Sequence, residues 1–315
     1  RLTKNKAPMI NDPRKNTQVL AVLFLGVVGV STAAIFIRLC LEAAEASGLG
    51  FSLFIAASRL TLASVIIVPF VRRTQPYPVI SQKGWQWAIT AGIALCFHFA
   101  TWITSLSFTS IAASTTIVTT NPIWVTLLSW IWLQEKPTLL TVSGIVVALL
   151  GGVCIAVGDA GSLIGGSNPL LGDALALLGA WSASFYLLLG KQAQAAGLSV
   201  GIYSAIAYTT AALFLLPLPF FFGIDYWGYP GEVYLYLLGM ALFSQILGHT
   251  SFNWAVRLIS PTFVTLAILF EPVSASFLGF LIFGEVPGIL VLVGAIILLI
   301  GSAIAIWGGK SPISN

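Results

Sequence analysis

Two charged residues of opposite sign stand inside long apolar stretches. Arg59 is central in FIAASRLTLAS, and Glu271 is central in AILFEPVSASF. A charge near the middle of a bilayer costs about 2.5–3.5 kcal/mol on insertion scales, so it normally faces protein or water and has a role. Arg59 could bind a carboxylate or phosphate, whereas Glu271 could bind an amine or carry an exchangeable proton. Alternatively, the two residues pair with each other or cap backbone groups, and so fix the packing. Arg59 itself cannot be the proton carrier, because the guanidinium of an arginine stays protonated in proteins.

Two prolines interrupt apolar stretches directly after a polar residue, in the pairs Asn121-Pro122 and Glu271-Pro272. A proline inside a helix removes a backbone donor and frees a carbonyl of the preceding turn. We therefore predict two bends beside a cavity, at which the helices move during gating. Ordinary packing kinks are the alternative.

The two histidines of the chain lie in apolar stretches, each with a partner one helical turn away. His98 shares a helical face with Trp102, and His249 shares one with Asn253. A neutral imidazole suits the wall of a wet cavity and titrates near physiological pH. The alternative role is a hydrogen bond between helices.

Further side chains are candidates for contact with a ligand. Thr119 lies one turn before Pro122, although packing between helices is the main expectation for the threonines there. Trp124 lies deep in the same stretch, and Trp181 and Tyr186 offer an aromatic wall. The predicted substrate-binding set is Arg59, His98, Trp102, Thr119, Trp124, Trp181, Tyr186, His249 and Asn253, and the predicted gating or coupling set is Asn121, Pro122, Glu271 and Pro272.

Membrane-spanning helices must position these residues, because the chain is too apolar to stay dissolved. It is 58% hydrophobic and 8% charged, whereas soluble domains are about 25% charged. A helix of about 20 mostly apolar residues crosses a bilayer. We predict ten spans, at 19–40, 51–71, 86–107, 110–132, 138–157, 171–192, 200–222, 233–254, 260–283 and 287–307.

The distribution of charge predicts the direction of these spans. With the N-terminus inside, every Lys and Arg except Arg38 and Arg59 lies on the inner side, and most acidic residues lie on the outer side. This is the positive-inside pattern. We predict a multi-pass protein of the plasma (inner) membrane with N- and C-termini cytoplasmic. The net charge of +4 sits at segment ends and does not indicate nucleic-acid binding.

The chain repeats itself at one constant offset. The matched pairs are Asn121-Pro122 with Glu271-Pro272, Glu135 with Glu285, Gly144 with Gly294 and Gly151 with Gly301, and the two histidines are one residue out of this register. Because each half has five spans, an odd number, the second half enters the membrane from the opposite side. We predict an all-α polytopic membrane protein of ten transmembrane helices in two inverted five-helix repeats. Its parts are a basic cytoplasmic segment 1–18, a first repeat 19–157, a linker 158–170, a second repeat 171–307 and a cytoplasmic tail 308–315.

Signatures of enzymes are absent from the sequence. It contains no HExxH, GxSxG, CxxC or Walker motif, and no charged cluster for a metal ion. We therefore expect neither an enzyme nor a bound cofactor. Glu135 and Glu285, which end the fourth and ninth spans, are expected to cap the helices that follow them.

The repeated stretch has a distinctive pattern. FEPVSASFLGFLIFGEVPGILVLVGAIILLIGSAIA combines an E-P, a G-E and a last span with spaced glycines. The first half echoes it as TNPIWVTLLSWIWLQEKPTLLTVSGIVVALLGGVCIA, and Arg59 stands in SRLTLA. In these features the chain resembles the EamA-type transporters of the drug/metabolite transporter superfamily. The resemblance implies a helical carrier with a central cavity and alternating access, typically for amino acids and related metabolites, often exported and sometimes exchanged for protons.

The resemblance also divides the candidate residues. Glu271, Pro272, Glu135 and Glu285 match the frame of the family, so they serve folding and gating more than the choice of cargo. Asn121 departs from the acidic residue of the second half, so the halves are chemically different there. We predict a secondary-active carrier in the lipid bilayer that moves small polar metabolites, amino acids or related zwitterions. Export is the favoured direction and the proton is the candidate coupling ion.

Two other functions stay open. A nucleotide-sugar or organophosphate exchanger on the same frame would need several cations in its cavity, and the sequence offers Arg59. A non-transporting membrane subunit that binds partner proteins would not need polar residues deep in its spans.

Overall fold

The computed structural model describes residues 13–73, 80–109, 111–134, 136–160, 168–284 and 288–308, which form helices and short connections without a strand. The helices are α1 (Pro13–Ala44), α2 (Leu49–Arg73), α3 (Gln82–Ser105), α4 (Ile111–Val118), α5 (Asn121–Leu133), α6 (Leu139–Ala160), α7 (Pro169–Ala195), α8 (Val200–Leu215), α9 (Gly231–Gly239), α10 (Thr250–Leu258), α11 (Pro261–Ile268), α12 (Glu271–Phe283) and α13 (Ile289–Gly308). A 3₁₀ turn covers Pro219–Phe222, and a π-helical stretch, Met240–His249, joins α9 to α10.

Seven segments of the described chain are long and apolar enough to cross a membrane. They are Asn16–Ala44, Leu49–Arg73, Gln82–Ser105, Pro169–Ala195, Val200–Phe222, Gly231–Leu258 and Pro261–Phe283. α6 and α13 contain shorter apolar helices, and the fourth predicted span is divided between α4 and α5. An all-helical, multi-pass membrane protein is therefore confirmed, while the number of ten spans stays a prediction.

Both predicted helix breaks are present. α4 ends at Val118 before α5 begins at Asn121, and α11 ends at Ile268 before α12 begins at Glu271. In each case the proline occupies the first turn of the new helix. Its missing N–H removes no intrahelical hydrogen bond there, and its fixed φ suits the helix. The prolines therefore begin helices, and each break leaves a helix N-terminus inside a long apolar segment.

Helices at matching places in the two halves pair in matching ways. α6 packs along α13, and α2 packs along α8. α1 packs on α12 as α7 packs on α5, and α7 packs along α3 as α1 packs along the stretch from α9 to α10. The α6–α13 contact depends on small residues: a Cβ on Gly144 would collide with the backbone at Ala305, and one on Gly301 with the backbone at Ala148. Such residues let helices approach closely where lipid supplies no hydrophobic force between them.

The π-helical stretch Met240–His249, here called the π segment, explains the offset of the histidines. The backbone N–H of Thr250 donates to the carbonyl of Gln245, five residues earlier. Hydrogen bonds of this span are rare and occur mostly as bulges in α-helices, often at functional sites. Because such a bulge accommodates an extra residue, it accounts for the position of His249 one residue beyond the match to His98.

Some predicted features lie outside the described residues. Glu135 and Glu285 are among them, so their capping role stays a prediction. The same holds for residues 161–167 of the predicted linker. The ends of that linker are helical, since α6 continues to Ala160 and α7 begins at Pro169.

Candidate functional site: a central cavity beside two broken helices

A cavity lies where both helix breaks meet α1, α2, α3, α7 and the π segment. Its empty space is about 530 Å³, counting the part that opens to the outside. The predicted site residues that line it are Arg59, His98, Trp102, Thr119, Asn121, Tyr186, His249 and Glu271. The structure therefore brings eight of the predicted site residues together around one cavity.

Arg59 is fully buried, and its guanidinium is only partly satisfied. Its Nε donates to Gln245 Oε1 at 2.9 Å, and its Cζ lies 4.1 Å from the centre of the Phe99 ring. Nη1 and Nη2 have no hydrogen-bond partner among the described residues. A buried ion costs several kcal/mol unless its partners compensate it. The two Nη groups are thus the part of this cation that a bound anion would stabilise most.

Glu271 is the counterpart of Arg59 in the same cavity. It is the first residue of α12 and is 7% exposed. The N-terminus of a helix stabilises a negative charge. Within the described chain, no carboxylate oxygen lies within 4.0 Å of the Arg59 guanidinium. The two charges therefore share the cavity without direct pairing.

Asn121 occupies the matching place at the first break, and protein carbonyls engage its amide nitrogen. Its amide nitrogen donates to the carbonyls of Ala180 and Val118, each at 3.0 Å, in the orientation that these two acceptors require. The side chain is 5% exposed. Asn121 therefore ties α5 to α7 and to the end of α4.

The two histidines and Trp102 form an aromatic wall. His98 Nδ1 lies 2.9 Å from the carbonyl of Gly179 and must donate to it, so Nε2 of the neutral ring is left as an acceptor. The His98 ring stacks on Trp102 with centroids 5.8 Å apart, and His249 lies 6.2 Å away. His98 thus has the inter-helix hydrogen bond that was the alternative to ligand contact. Trp102 Nε1 is buried without a partner among the described residues.

Tyr186 lines the cavity and is held from behind by a polar network. Asn253 Nδ2 donates to Tyr186 Oη at 2.6 Å and to Ser204 Oγ at 3.1 Å. Gln194 Nε2 donates to the Asn253 carbonyl at 2.9 Å. Asn253 is 1% exposed and does not line the cavity, so it positions Tyr186 instead of facing a ligand.

The remaining predicted residues contribute less to the cavity wall. Thr119 lines it, but its hydroxyl donates to the carbonyl of Thr115 at 2.8 Å. Trp124 packs edge-on against Trp181 with centroids 5.1 Å apart, and neither residue lines the cavity. Pro122 and Pro272 are buried and begin the two half-helices beside it.

Different kinds of side chain pack the two ends of the helix bundle, polar ones at one end and aromatic ones at the other. The polar network around Asn253 joins the end of α7 to the start of α8. At the other end, an aromatic cluster packs the chain after α8 onto the start of α2, with Phe54 4.9 Å from Tyr229 and 5.5 Å from Tyr226. Burial raises the pKa of Tyr226 to about 12, so its hydroxyl stays neutral and donates to the Leu216 carbonyl at 2.8 Å.

Gln245 is a site residue that the sequence did not reveal. It is fully buried in the π segment, and its side chain orients Arg59. The sequence places it one turn before His249, but its contact with Arg59 depends on how α2 packs on the π segment.

Comparison with known proteins agrees with this architecture. A search of curated proteins finds no match. A solved crystal structure, titled only as that of a protein, is similar with a TM-score of 0.72 and 16% identity, covering 95% of this chain and 99% of that one. At this identity, the likeness shows the fold alone.

A family model covers both halves of the chain. The model of the EamA-like transporter family matches residues 17–157 and 170–307, so it recurs once in each half. These two matches take in both helix breaks and nearly all of the cavity-lining helices. The chain therefore belongs to the EamA-like transporter family.

Proposed function

We propose that the protein is a secondary-active transporter that moves amino acids or related zwitterions through the central cavity, with export as the favoured direction. The observation that carries this proposal is the pair of buried, opposite charges in one cavity. Arg59 and Glu271 both line it, and neither neutralises the other by direct contact. A zwitterion offers each of them a partner, a carboxylate for Arg59 and an ammonium for Glu271.

The charge balance of the cavity favours this cargo over an organophosphate. Arg59 is the only Lys or Arg that lines it within the described chain. A phosphate ester carries more negative charge than one guanidinium compensates, and Glu271 would repel it. The imidazoles of His98 and His249 are not fixed cations, because they are also stable as neutral rings.

The matched packing of the two halves supports alternating access. We infer ten spans in two inverted five-helix repeats, 19–157 and 171–307, with both termini cytoplasmic in the plasma membrane. Under this topology the polar network lies toward the inner face and the aromatic cluster toward the outer face. The half-helices α5 and α12 begin beside the cavity, so small rotations there would open one end and close the other. Glu271 is our candidate for the group that carries a coupling proton.

The first test is metabolite profiling of cells that express the protein, compared with cells that express the Arg59→Ala variant. Metabolites are measured inside the cells and in the medium. A zwitterion that accumulates outside only with the intact protein would support export, and its depletion from the medium would show import instead. No difference for any metabolite would argue against transport in that host.

Reconstitution separates transport from a role as a partner-binding subunit. The purified protein in liposomes should exchange the identified metabolite without any other protein. A metabolite that moves in cells but not in these liposomes would contradict autonomous transport. Glu42→Gln is the control for a carboxylate change at Glu271 and should transport like the intact protein. Glu42 is a half-exposed carboxylate that pairs with Arg38 at 2.9 Å and does not line the cavity.

A further inference from the structure

Three buried N–H groups beside the cavity lack partners among the described residues. They are Nη1 and Nη2 of Arg59 and Nε1 of Trp102, and both residues line the cavity. Both residues lie near Phe99: Arg59 Cζ is 4.1 Å from its ring centre, and the Trp102 ring centre is 6.3 Å from it. An unmade hydrogen bond at a buried donor costs free energy that a ligand can recover. Unpartnered donors from α2 and α3 therefore lie beside the same cavity.

Gln245 fixes which part of Arg59 faces this space. Arginine has donors only, so the Arg59 Nε contact at 2.9 Å requires the oxygen of the Gln245 amide. The backbone of Gln245 is held, because its carbonyl accepts from Thr250 N–H and from Tyr208 Oη at 3.4 Å. Its side-chain Nε2 has no partner among the described residues, so the bond to Arg59 is the contact that orients the amide. With Nε occupied, the two Nη groups are the donors that remain. Gln245 does not line the cavity, so it acts through Arg59.

We propose that Gln245 is a positioning residue that turns Arg59 toward the cavity, where Arg59 and Trp102 bind the carboxylate of the cargo. The proposal rests on the function proposed above and adds the orientation of the cargo. A guanidinium presents paired donors that match the two oxygens of a carboxylate. The indole N–H of Trp102 supplies a third donor. The ammonium then faces Glu271, which lines the same cavity.

The test measures binding to the purified full-length protein in detergent by the ligand-induced rise in Tm. The probes are the twenty common amino acids and, for each one that binds, its α-amide, which lacks the carboxylate charge. We expect the wild-type protein to prefer the amino acid over its α-amide by about 10- to 150-fold, the range for a hydrogen bond to a charged group.

The informative variant is Gln245→Glu. It keeps an acceptor for Arg59 Nε but gives the guanidinium a permanent counterion, so the preference for the free carboxylate should fall toward one. Gln245→Leu removes the acceptor and should weaken binding of the amino acid more than that of its amide. Trp102→Phe should reduce the preference by a smaller factor. Gln86→Glu makes the same chemical change at an exposed position of α3 and should alter nothing.

The outcomes separate this proposal from the function on which it rests. If no amino acid raises the Tm, the common amino acids are not the cargo, and the carboxylate subsite proposed for them is wrong. If amino acids bind but their amides bind equally well, the cargo class stands and the carboxylate subsite is wrong. An unchanged preference in Gln245→Glu, with binding intact, would contradict the positioning role of Gln245. If Gln245→Leu does not fold, Gln245→Glu still decides the question.

Discussion

The two helix breaks occupy matching places in the repeat but differ in what their polar residue contacts. At the first break, Asn121 donates both amide hydrogens to the carbonyls of Ala180 and Val118. At the second break, the Glu271 carboxylate lines the cavity without a hydrogen bond from a described residue. At the first break the polar side chain is thus hydrogen-bonded to protein, whereas at the second break a carboxylate remains available to a ligand or a proton.

This difference shows how a repeated frame can perform two tasks. A proline in the first turn gives both breaks the same backbone, because its fixed φ and its missing N–H suit the first turn of a helix. The residue before it then decides the role. An amide has donors for the carbonyls that a break exposes, whereas a carboxylate has none for them and is stabilised mainly by the helix N-terminus. We infer that the first break holds the bundle together and the second responds to cargo or to protons.

Glu271→Gln should have the largest effect on transport. It removes the charge that faces the ammonium of the cargo, so uptake or release in liposomes should fall by roughly 10- to 150-fold. The fold should be kept or stabilised, because a buried charge without a partner is replaced by a neutral side chain of similar shape. The measurements are the transport rate across a pH gradient and the Tm in detergent. Full, pH-dependent transport by this variant would remove Glu271 from the role of proton carrier.

Asn121→Asp should reduce stability and largely keep transport, the opposite of Glu271→Gln. The carboxylate cannot donate to either carbonyl. The Ala180 carbonyl keeps the Ser184 hydroxyl at 2.8 Å, but the Val118 carbonyl loses its donor, so the stability falls by about 1–3 kcal/mol. The protein that remains folded should still transport. Thermal unfolding in detergent measures the loss. Asn168→Asp is the matched control, because Asn168 accepts from the Leu171 N–H at the start of α7 and aspartate caps a helix equally well. Equal losses in the two variants would contradict the tying role of Asn121.

Trp124→Phe extends the comparison to the next turn of the first break. Trp124 Nε1 donates to Thr120 Oγ1 at 3.2 Å, and its ring packs on Trp181 outside the cavity wall. Loss of this hydrogen bond should cost about 0.5–1.5 kcal/mol in stability and leave the apparent affinity for cargo unchanged. Trp102→Phe, the same change in the cavity wall, should lower the apparent affinity for cargo and leave the stability nearly unchanged. If Trp124→Phe lost affinity for cargo without losing stability, Trp124 would belong to the binding site, as the sequence predicted.

The sequence predicted the features that have a local physical cause. The breaks follow from prolines, and the placement of Arg59 and Glu271 in one cavity follows from the cost of a charge in lipid. The π segment had a weaker signal, the single-residue offset between His98 and His249.

The sequence could not predict contacts that depend on how buried helices are rotated. A helix that is apolar on all sides shows no preferred face, so its pattern does not tell which side meets the cavity. Trp124 and Trp181 therefore appeared as suitable as Trp102, although they pack on each other. Asn253 and Gln245 lie behind the cavity wall, and their roles emerge only from hydrogen bonds to Tyr186 and Arg59 on other helices.

Thr119→Val should have the smallest effect, and it tests whether the first break also contacts the cargo. Thr119 lines the cavity, but its hydroxyl donates to the carbonyls of Thr115 and Thr116 at 2.8 and 3.0 Å, in the last turn of α4. Such local bonds contribute little to helix stability, because those carbonyls also take part in the helix. We expect a change in stability below about 0.5 kcal/mol and a KM for transport within about twofold of wild type. A tenfold rise in KM at unchanged Tm would show that the hydroxyl turns to the cargo, and the two breaks would then share the work of binding.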